Sequence, residues 1–131
     1  MKTFSKEERL CSRKLLDLLF KNGSSFLLYP FRISYLRVED TPGSPVQVVI
    51  NVSKKRYKRA VDRNLIKRRI REIYRLQKEE QLLSKLKDAP GLLLLSLQYV
   101  GKEKHESDFM EKKLHTALLK LSANLDQLEV H

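Results

Sequence analysis

Lys54-Lys55-Arg56-Tyr57-Lys58-Arg59-Ala60-Val61-Asp62-Arg63-Asn64-Leu65-Ile66-Lys67-Arg68-Arg69-Ile70-Arg71-Glu72-Ile73-Tyr74-Arg75 holds eleven Lys and Arg against two acids. The whole 131-residue chain nets +11, and this window alone carries +9 of it. At about 100° per residue, Ile66, Ile70, Ile73, Tyr74 and Gln77 fall within one sector of roughly 100°. Arg63, Lys67, Arg71 and Lys78 line the opposite side, with Asn64, Arg68 and Arg75 beside them. The pattern predicts a helix that packs on a core with one side and shows a cationic stripe on the other. Like charges at i,i+4, as in Arg63/Lys67/Arg71, cost an isolated helix about 0.2–0.5 kcal/mol per pair. A polyanion along the stripe turns that repulsion into attraction. A solvated basic face without a partner is the competing reading, and the clustering and scarcity of acids favour nucleic acid.

Upstream, Val46-Gln47-Val48-Val49-Ile50-Asn51-Val52 is rich in β-branched residues and reads as a central strand that delivers the chain to Ser53. Asp40-Thr41-Pro42-Gly43-Ser44-Pro45 is turn chemistry. Before it, Phe31, Ile33 and Tyr35 alternate with Arg32, Ser34 and Leu36 as a half-buried strand, and the two strands are expected to form an antiparallel hairpin. Ser25 to Leu28 is a short strand that ends at Tyr29-Pro30. A first helix is expected from Ser12 to Asn22, with a Leu15, Leu18, Leu19 stripe and a stop at Asn22-Gly23. Ser5-x-x-Glu8 is a rival capping signal to Ser12.

Downstream, Lys78 to Asp88 keeps helical character until Ala89-Pro90-Gly91. Leu92 to Val100 is apolar almost throughout, too short for a membrane and suited to an interior strand. Ser107-Asp108 is expected to cap a last helix with Leu114, Leu118 and Leu121 at helical spacing. The order α-β-β-β-α-β-α predicts an α+β, two-layer sandwich on a mostly antiparallel four-stranded sheet. We expect one domain over residues 1–131, loosely ordered at 1–10 and 124–131. A cleavable leader and a membrane span are not expected. The lone Cys11 can form no internal disulfide.

Catalytic chemistry is hard to find. A two-metal nuclease needs clustered carboxylates, and Asp17, Asp40, Asp62, Glu72 and Asp88 are scattered. Asp62 and Glu72 stand about 15 Å apart along a helix and cannot share an ion. Glu72 is expected to pair with Arg68, Arg69 or Arg75. His105, His115 and His131 do not cluster. Binding is better served, because Arg63, Lys67, Arg68 and Arg71 offer donors to phosphates at one-turn spacing, and Lys54 and Lys55 extend the charge toward the sheet. Asn64 can reach a base edge, a 2′-hydroxyl or an ion-bound water, or simply bond locally. With five to seven phosphate contacts, log affinity falls with log salt at a slope of roughly −4 to −6. Phe20, Phe31 and Tyr35 are core candidates by default and stacking candidates by chemistry.

Arg63-Asn64-x-x-Lys67-Arg68-x-x-Arg71-Glu72-x-x-Arg75, led by Ala60-Val61 and by Ser53-Lys54-Lys55, resembles the signature of the bacterial ribonuclease P protein subunit. A generic basic run fixes neither the Asn nor the late acid. The likeness continues more weakly through Arg9-Leu10, Phe20 and Gly23, and covers most of the first hundred or so residues. Many members carry another Arg after the Asn, where this chain has Leu65, and a Gly before the Ala, where it reads Tyr57-Lys58-Arg59. One RNA contact and the shape of the loop leading into the helix are therefore open.

The resemblance implies a ribosomal-protein-S5-domain-2-like fold with an uncommon left-handed βαβ crossover, against the general rule. It implies a subunit that binds the catalytic ribonuclease P RNA and the 5′ leader of precursor tRNA, with RNA doing the cutting and holding the Mg²⁺. The candidate RNA-binding set is Lys54, Lys55, Arg59, Arg63, Asn64, Lys67, Arg68, Arg71 and Arg75, and the candidate leader cleft is Phe20, Phe31 and Tyr35. No protein catalytic or metal residue, no membrane and no DNA partner is expected, and the compartment is the cytoplasm. A ribosomal or RNA-chaperone protein shares the basic helix but adds nothing to ribonuclease P cleavage. A DNA-binding regulator prefers duplex DNA, and no helix-turn-helix partner is visible for it.

Overall fold

The computed structural model describes residues 8–39, 45–78, 91–103 and 106–125. The elements are α1 (Arg13–Asn22), β1 (Ser24–Leu28), β2 (Phe31–Val38), β3 (Val46–Val52), α2 (Ala60–Lys78), β4 (Leu92–Tyr99) and α3 (Ser107–Asn124). Their order is the expected one. Ser12 caps α1, its hydroxyl accepting from the Leu15 amide at 3.3 Å. Its rival Ser5 lies outside the described residues, as does the helical reading of residues 79–88 with its stop at Ala89-Pro90. Gly23 follows α1 in extended backbone at φ −73°, so left-handed geometry is not why glycine stands there. A Cβ would lie 2.4 Å from the Leu19 carbonyl oxygen and 2.9 Å from that of Tyr35, and close approach is the reason.

The sheet order is β1-β2-β4-β3. β1 pairs antiparallel with β2, and β2 antiparallel with β4, while β3 runs parallel to β4. The expected hairpin of the strands we now label β2 and β3 is therefore wrong. β4 lies between them, Leu36 facing Leu94 on one side and Gln47 facing Leu94 on the other. The expected central strand, β3, is at an edge. Its β-branched residues are needed for packing under α2, and the strand buried on both faces is β4, whose unbroken apolar run is the sequence sign of that position. The outer edge of β3 receives the N-terminal segment, through a parallel bridge between Arg9 and Val48 and a bond from the Leu10 amide to the Val48 carbonyl at 2.9 Å.

Two apolar layers follow from side-chain alternation. Phe31, Ile33, Tyr35, Val46, Val48, Leu93, Leu95, Leu97 and Tyr99 face α2 and α3. Leu36, Val38, Leu92 and Leu94 face α1 through Leu19, with Leu10 beside them. On α2 the residues Ile66, Ile70, Ile73 and Tyr74 are all buried, as the periodicity predicts. Each such burial stabilises by about 1.5–3 kcal/mol. Repulsion along the basic stripe is roughly sixfold smaller per pair, so packing holds a helix its own charges oppose. Gln77 finishes the seam with α3, its amide donating to the Glu111 carbonyl at 3.1 Å.

Candidate nucleic-acid interface

The basic window begins as a tightly tied loop. The Tyr57 amide donates to the Ser53 carbonyl at 3.0 Å and the Lys55 amide to the Ser53 hydroxyl at 3.2 Å, turning the chain out of β3. Tyr57, in the stretch where the family pattern departs, is a buried anchor. Its ring lies 6.2 Å from that of Tyr99 and its hydroxyl donates to the Gly101 carbonyl at 2.9 Å. Burial pushes that phenol above the ordinary tyrosine range, so it stays a donor. Arg56 donates to the Val100 carbonyl at 2.9 Å. Arg63, one turn into α2, donates from one nitrogen to the carbonyls of Tyr57 at 2.7 Å and Lys58 at 2.9 Å. Loop, helix start and the end of β4 thus form one unit.

On this unit Lys54, Lys55, Arg59, Asn64, Arg68 and Arg71 are exposed, and Arg63, Lys67 and Arg75 are half-buried. None of the nine candidates lies in the core. Glu72 pairs with Arg75 at 2.5 Å, one of the three partners expected for it, and this hydrogen bond holds its carboxyl below the usual range. Arg63 carries a structural duty that charge counting missed. Lys78, read as the end of the stripe, is buried instead, and its ammonium pairs with Glu8 of the N-terminal segment. Lys78 follows Arg71 by seven residues, about two turns along the same side of α2, and there the N-terminal segment covers it, with Glu8 on its ammonium. Tyr74, close by, is fully buried, which raises its phenol far above the ordinary range, with the Glu8 charge adding to the effect.

The proposed aromatic platform does not assemble. Phe31 is 0 % and Tyr35 9 % exposed, both in the layer under α2 and α3, where Phe31 meets Tyr99 edge-on at 6.0 Å and Tyr35 meets Phe26 at 6.1 Å. As leader contacts both are corrected: alternation along β2 sends them to the closed face of the sheet. Phe20 is 59 % exposed, on α1 across the opposite face. That opposite face is only half covered. Cross-strand pairing puts Ser34 beside Ser96, Arg32 beside Gln98, and Asn51 on the far side of Gln98. Arg32 is exposed, and Ser34, Asn51 and Gln98 are half-buried. A polar strip thus continues the sheet past the apolar patch that α1 covers. Single polar residues inside otherwise apolar strands, Asn51 and Gln98 above all, were the sequence signal for it.

Among the described residues no three His, Cys, Asp or Glu side chains gather where they could hold a metal ion. No described helix is long and apolar enough to cross a membrane.

The family model described as Ribonuclease P matches residues 4–121. The chain belongs to the ribonuclease P protein family. A Porphyromonas gingivalis protein named Ribonuclease P protein component is 31% identical over 121 residues, 92% of this chain and 88% of that one. A Chlorobaculum tepidum protein of the same name is 58% identical over 64 residues, 46% of this chain and 41% of its own. Among solved structures, the ribonuclease P protein of Thermotoga maritima superposes with a TM-score of 0.67 at 24% identity, covering 86% of this chain and 96% of that one. That of Staphylococcus aureus gives 0.64 at 21% identity, covering 88% and 94%. The fold is that of the family, with three helices and a four-stranded mixed sheet among the described residues. The chain is a protein component of ribonuclease P, the tRNA-processing ribonuclease of bacteria.

Proposed function

We propose that this protein binds the catalytic RNA of ribonuclease P through the cationic face of α2 and the 5′ leader of precursor tRNA through the open half of its sheet. The observation that carries the reading is the exposure of Lys54, Lys55, Arg59, Arg68 and Arg71 on one rigid unit whose apolar side is buried. Two RNAs brought together repel, and a row of fixed cations between them lowers that repulsion and aligns their phosphates. In this reading the RNA cuts the phosphodiester and supplies the ligands for Mg²⁺, while the protein contributes binding and alignment. Asn64, exposed beside Arg68, is suited to a base edge or a 2′-hydroxyl. The cytoplasm is the compartment that fits these partners.

For the leader, the reading replaces Phe31 and Tyr35 with the strip of Arg32, Ser34, Asn51 and Gln98, together with Phe20, which is exposed on α1. Amides and a guanidinium can bond to sugar hydroxyls and phosphates of an extended strand, and Phe20 offers one stacking face. The test compares precursor tRNA with and without its leader, bound to the protein assembled with a bacterial ribonuclease P RNA. Tighter binding of the leader-bearing RNA, reduced by Asn51→Ala or Gln98→Ala, is expected. Equal binding of the two RNAs would reject the leader role.

A further inference from the structure

Leu76 is 47 % exposed near the C-terminal end of α2, an apolar side chain that neither the core nor the cationic face uses. Arg69, Glu72, Ile73 and Leu76 follow one another at i, i+3, i+4 and i+7, so they form one strip along the helix. Across from the strip stands the start of α3, with Ser107 and Glu111 one turn apart. Together with Arg68 these residues line a pocket of about 430 Å³ between the two helices. The bond from Gln77 to the Glu111 carbonyl pins α2 to α3 beside it. The lining is not that of a phosphate site, because Glu72 and Glu111 oppose an isolated anion while Ile73 and Leu76 supply apolar surface. Glu72 is engaged by Arg75, so the exposed Glu111 is the carboxylate offered to a ligand.

We propose that this pocket takes an unpaired nucleobase of the RNA bound along α2, with guanine the preferred base. A nucleotide has two flat faces, an edge of N–H donors and a phosphate, and the pocket offers a counterpart to each. Ile73 and Leu76 receive one face, and the Arg69 guanidinium stacks on the other. Glu111 accepts from the edge, and Arg68, exposed where the pocket meets the cationic face, holds the phosphate. A carboxylate has two acceptor oxygens. Guanine sets two donor nitrogens side by side, N1–H and the 2-amino group, which uracil does not. The volume lies within the roughly 300–1,000 Å³ typical of small-molecule sites. The pocket adds a base contact to the phosphate contacts of α2, and it rests on the RNA-binding reading above for the identity of the RNA.

Leu76→Ala and Glu111→Gln are titrated against a bacterial ribonuclease P RNA over a range of KCl concentrations. Leu119→Ala, an exposed leucine of α3 outside the pocket, is the control. Each of the two pocket variants is expected to lower affinity roughly tenfold. The log–log salt slope should stay unchanged, because neither variant removes a phosphate contact. Glu111→Gln is the sharper of the two, since removal of a negative charge by itself strengthens binding to a polyanion. With the RNA bound, equal or tighter binding by Glu111→Gln overturns the pocket, as does a Leu76→Ala loss no larger than that of Leu119→Ala. GMP, UMP and inorganic phosphate titrated against the ¹⁵N-labelled protein read the pocket without RNA. Shifts at the Ile73, Leu76 and Glu111 amides with GMP, smaller with UMP and lost in Glu111→Gln, sustain it. If the same protein then fails to bind the RNA, the RNA reading fails by itself. Absent shifts with GMP, or equal shifts with phosphate alone, overturn the pocket. Shifts that arise on raising the protein concentration without nucleotide overturn it too, by making the groove a contact between two copies of the chain.

Discussion

Arg63 shows how one side chain in a charged row can hold a loop as well as face a partner. Its bonds to the Tyr57 and Lys58 carbonyls fix the turn that presents Lys54, Lys55 and Arg59. Arg63→Ala should lower stability to urea by about 1–3 kcal/mol, since two charge-assisted bonds to backbone are lost. Arg68→Ala, exposed and outside that network, should stay within about 0.5 kcal/mol of the wild type while weakening RNA binding. Equal stability losses for the two would contradict the structural role of Arg63. The folded-state carboxyl of Glu72 lies below the ordinary value because Arg75 bonds to it. Its small contribution is therefore present at neutral pH and is lost as pH falls through the acid range. Glu72→Gln should flatten that part of the stability–pH curve and leave the neutral-pH Tm nearly unchanged. At Gly101 a Cβ would come within 2.7 Å of the Tyr99 ring, whose hydroxyl donates to the Glu103 carbonyl at 2.6 Å. Gly101→Ala should cost about 1–3 kcal/mol by displacing that ring, read as a lower urea midpoint.

At the scale of the element, α2 was legible because its period of 3.6 and its charge segregation agree, and Ile66, Ile70, Ile73 and Tyr74 took the buried side they advertise. β4 was legible for a different reason: eight residues without a solvent-facing alternation mark a strand covered on both faces. Strand order was not legible. Val46–Val52 carries the composition of an interior strand, and nothing in it says that β4, forty residues later, will take the place beside β2. Pairing is decided by which faces the helices can cover, a long-range property that local propensity does not carry. Phe31 and Tyr35 were misplaced as leader contacts for a related reason. An aromatic in an alternating strand is marked for one face, but the sequence does not say which face is open. Phe31 and Phe20 therefore separate by experiment. Phe31→Ala should cost about 3–5 kcal/mol of stability by opening a core cavity. Phe20→Ala should leave the urea midpoint in place and weaken binding of leader-bearing precursor tRNA by about 1 kcal/mol or more. A Phe20→Ala variant that unfolds early, with unchanged leader binding, would show that the ring is a packing residue.

For the whole molecule, the net charge of +11 and its concentration at the start and along the face of one helix are the dominant physical facts. The sheet, α1 and α3 give that charge a rigid backing. The open strip of Arg32, Ser34, Asn51 and Gln98 lies on another part of the same sheet. RNA affinity should accordingly fall with a log–log salt slope of roughly −4 to −6, and a flat dependence would remove the electrostatic basis of the account. The central claim is that this protein assists an RNA that performs the cleavage. It is tested most directly by combining a bacterial ribonuclease P RNA with precursor tRNA at low Mg²⁺, with and without the protein, and following release of the 5′ leader. The account predicts little cleavage by the RNA alone and restored cleavage when the protein is added, with no cleavage by the protein on its own. Leader release by the protein without the RNA, or no gain when the protein joins it, would contradict the account.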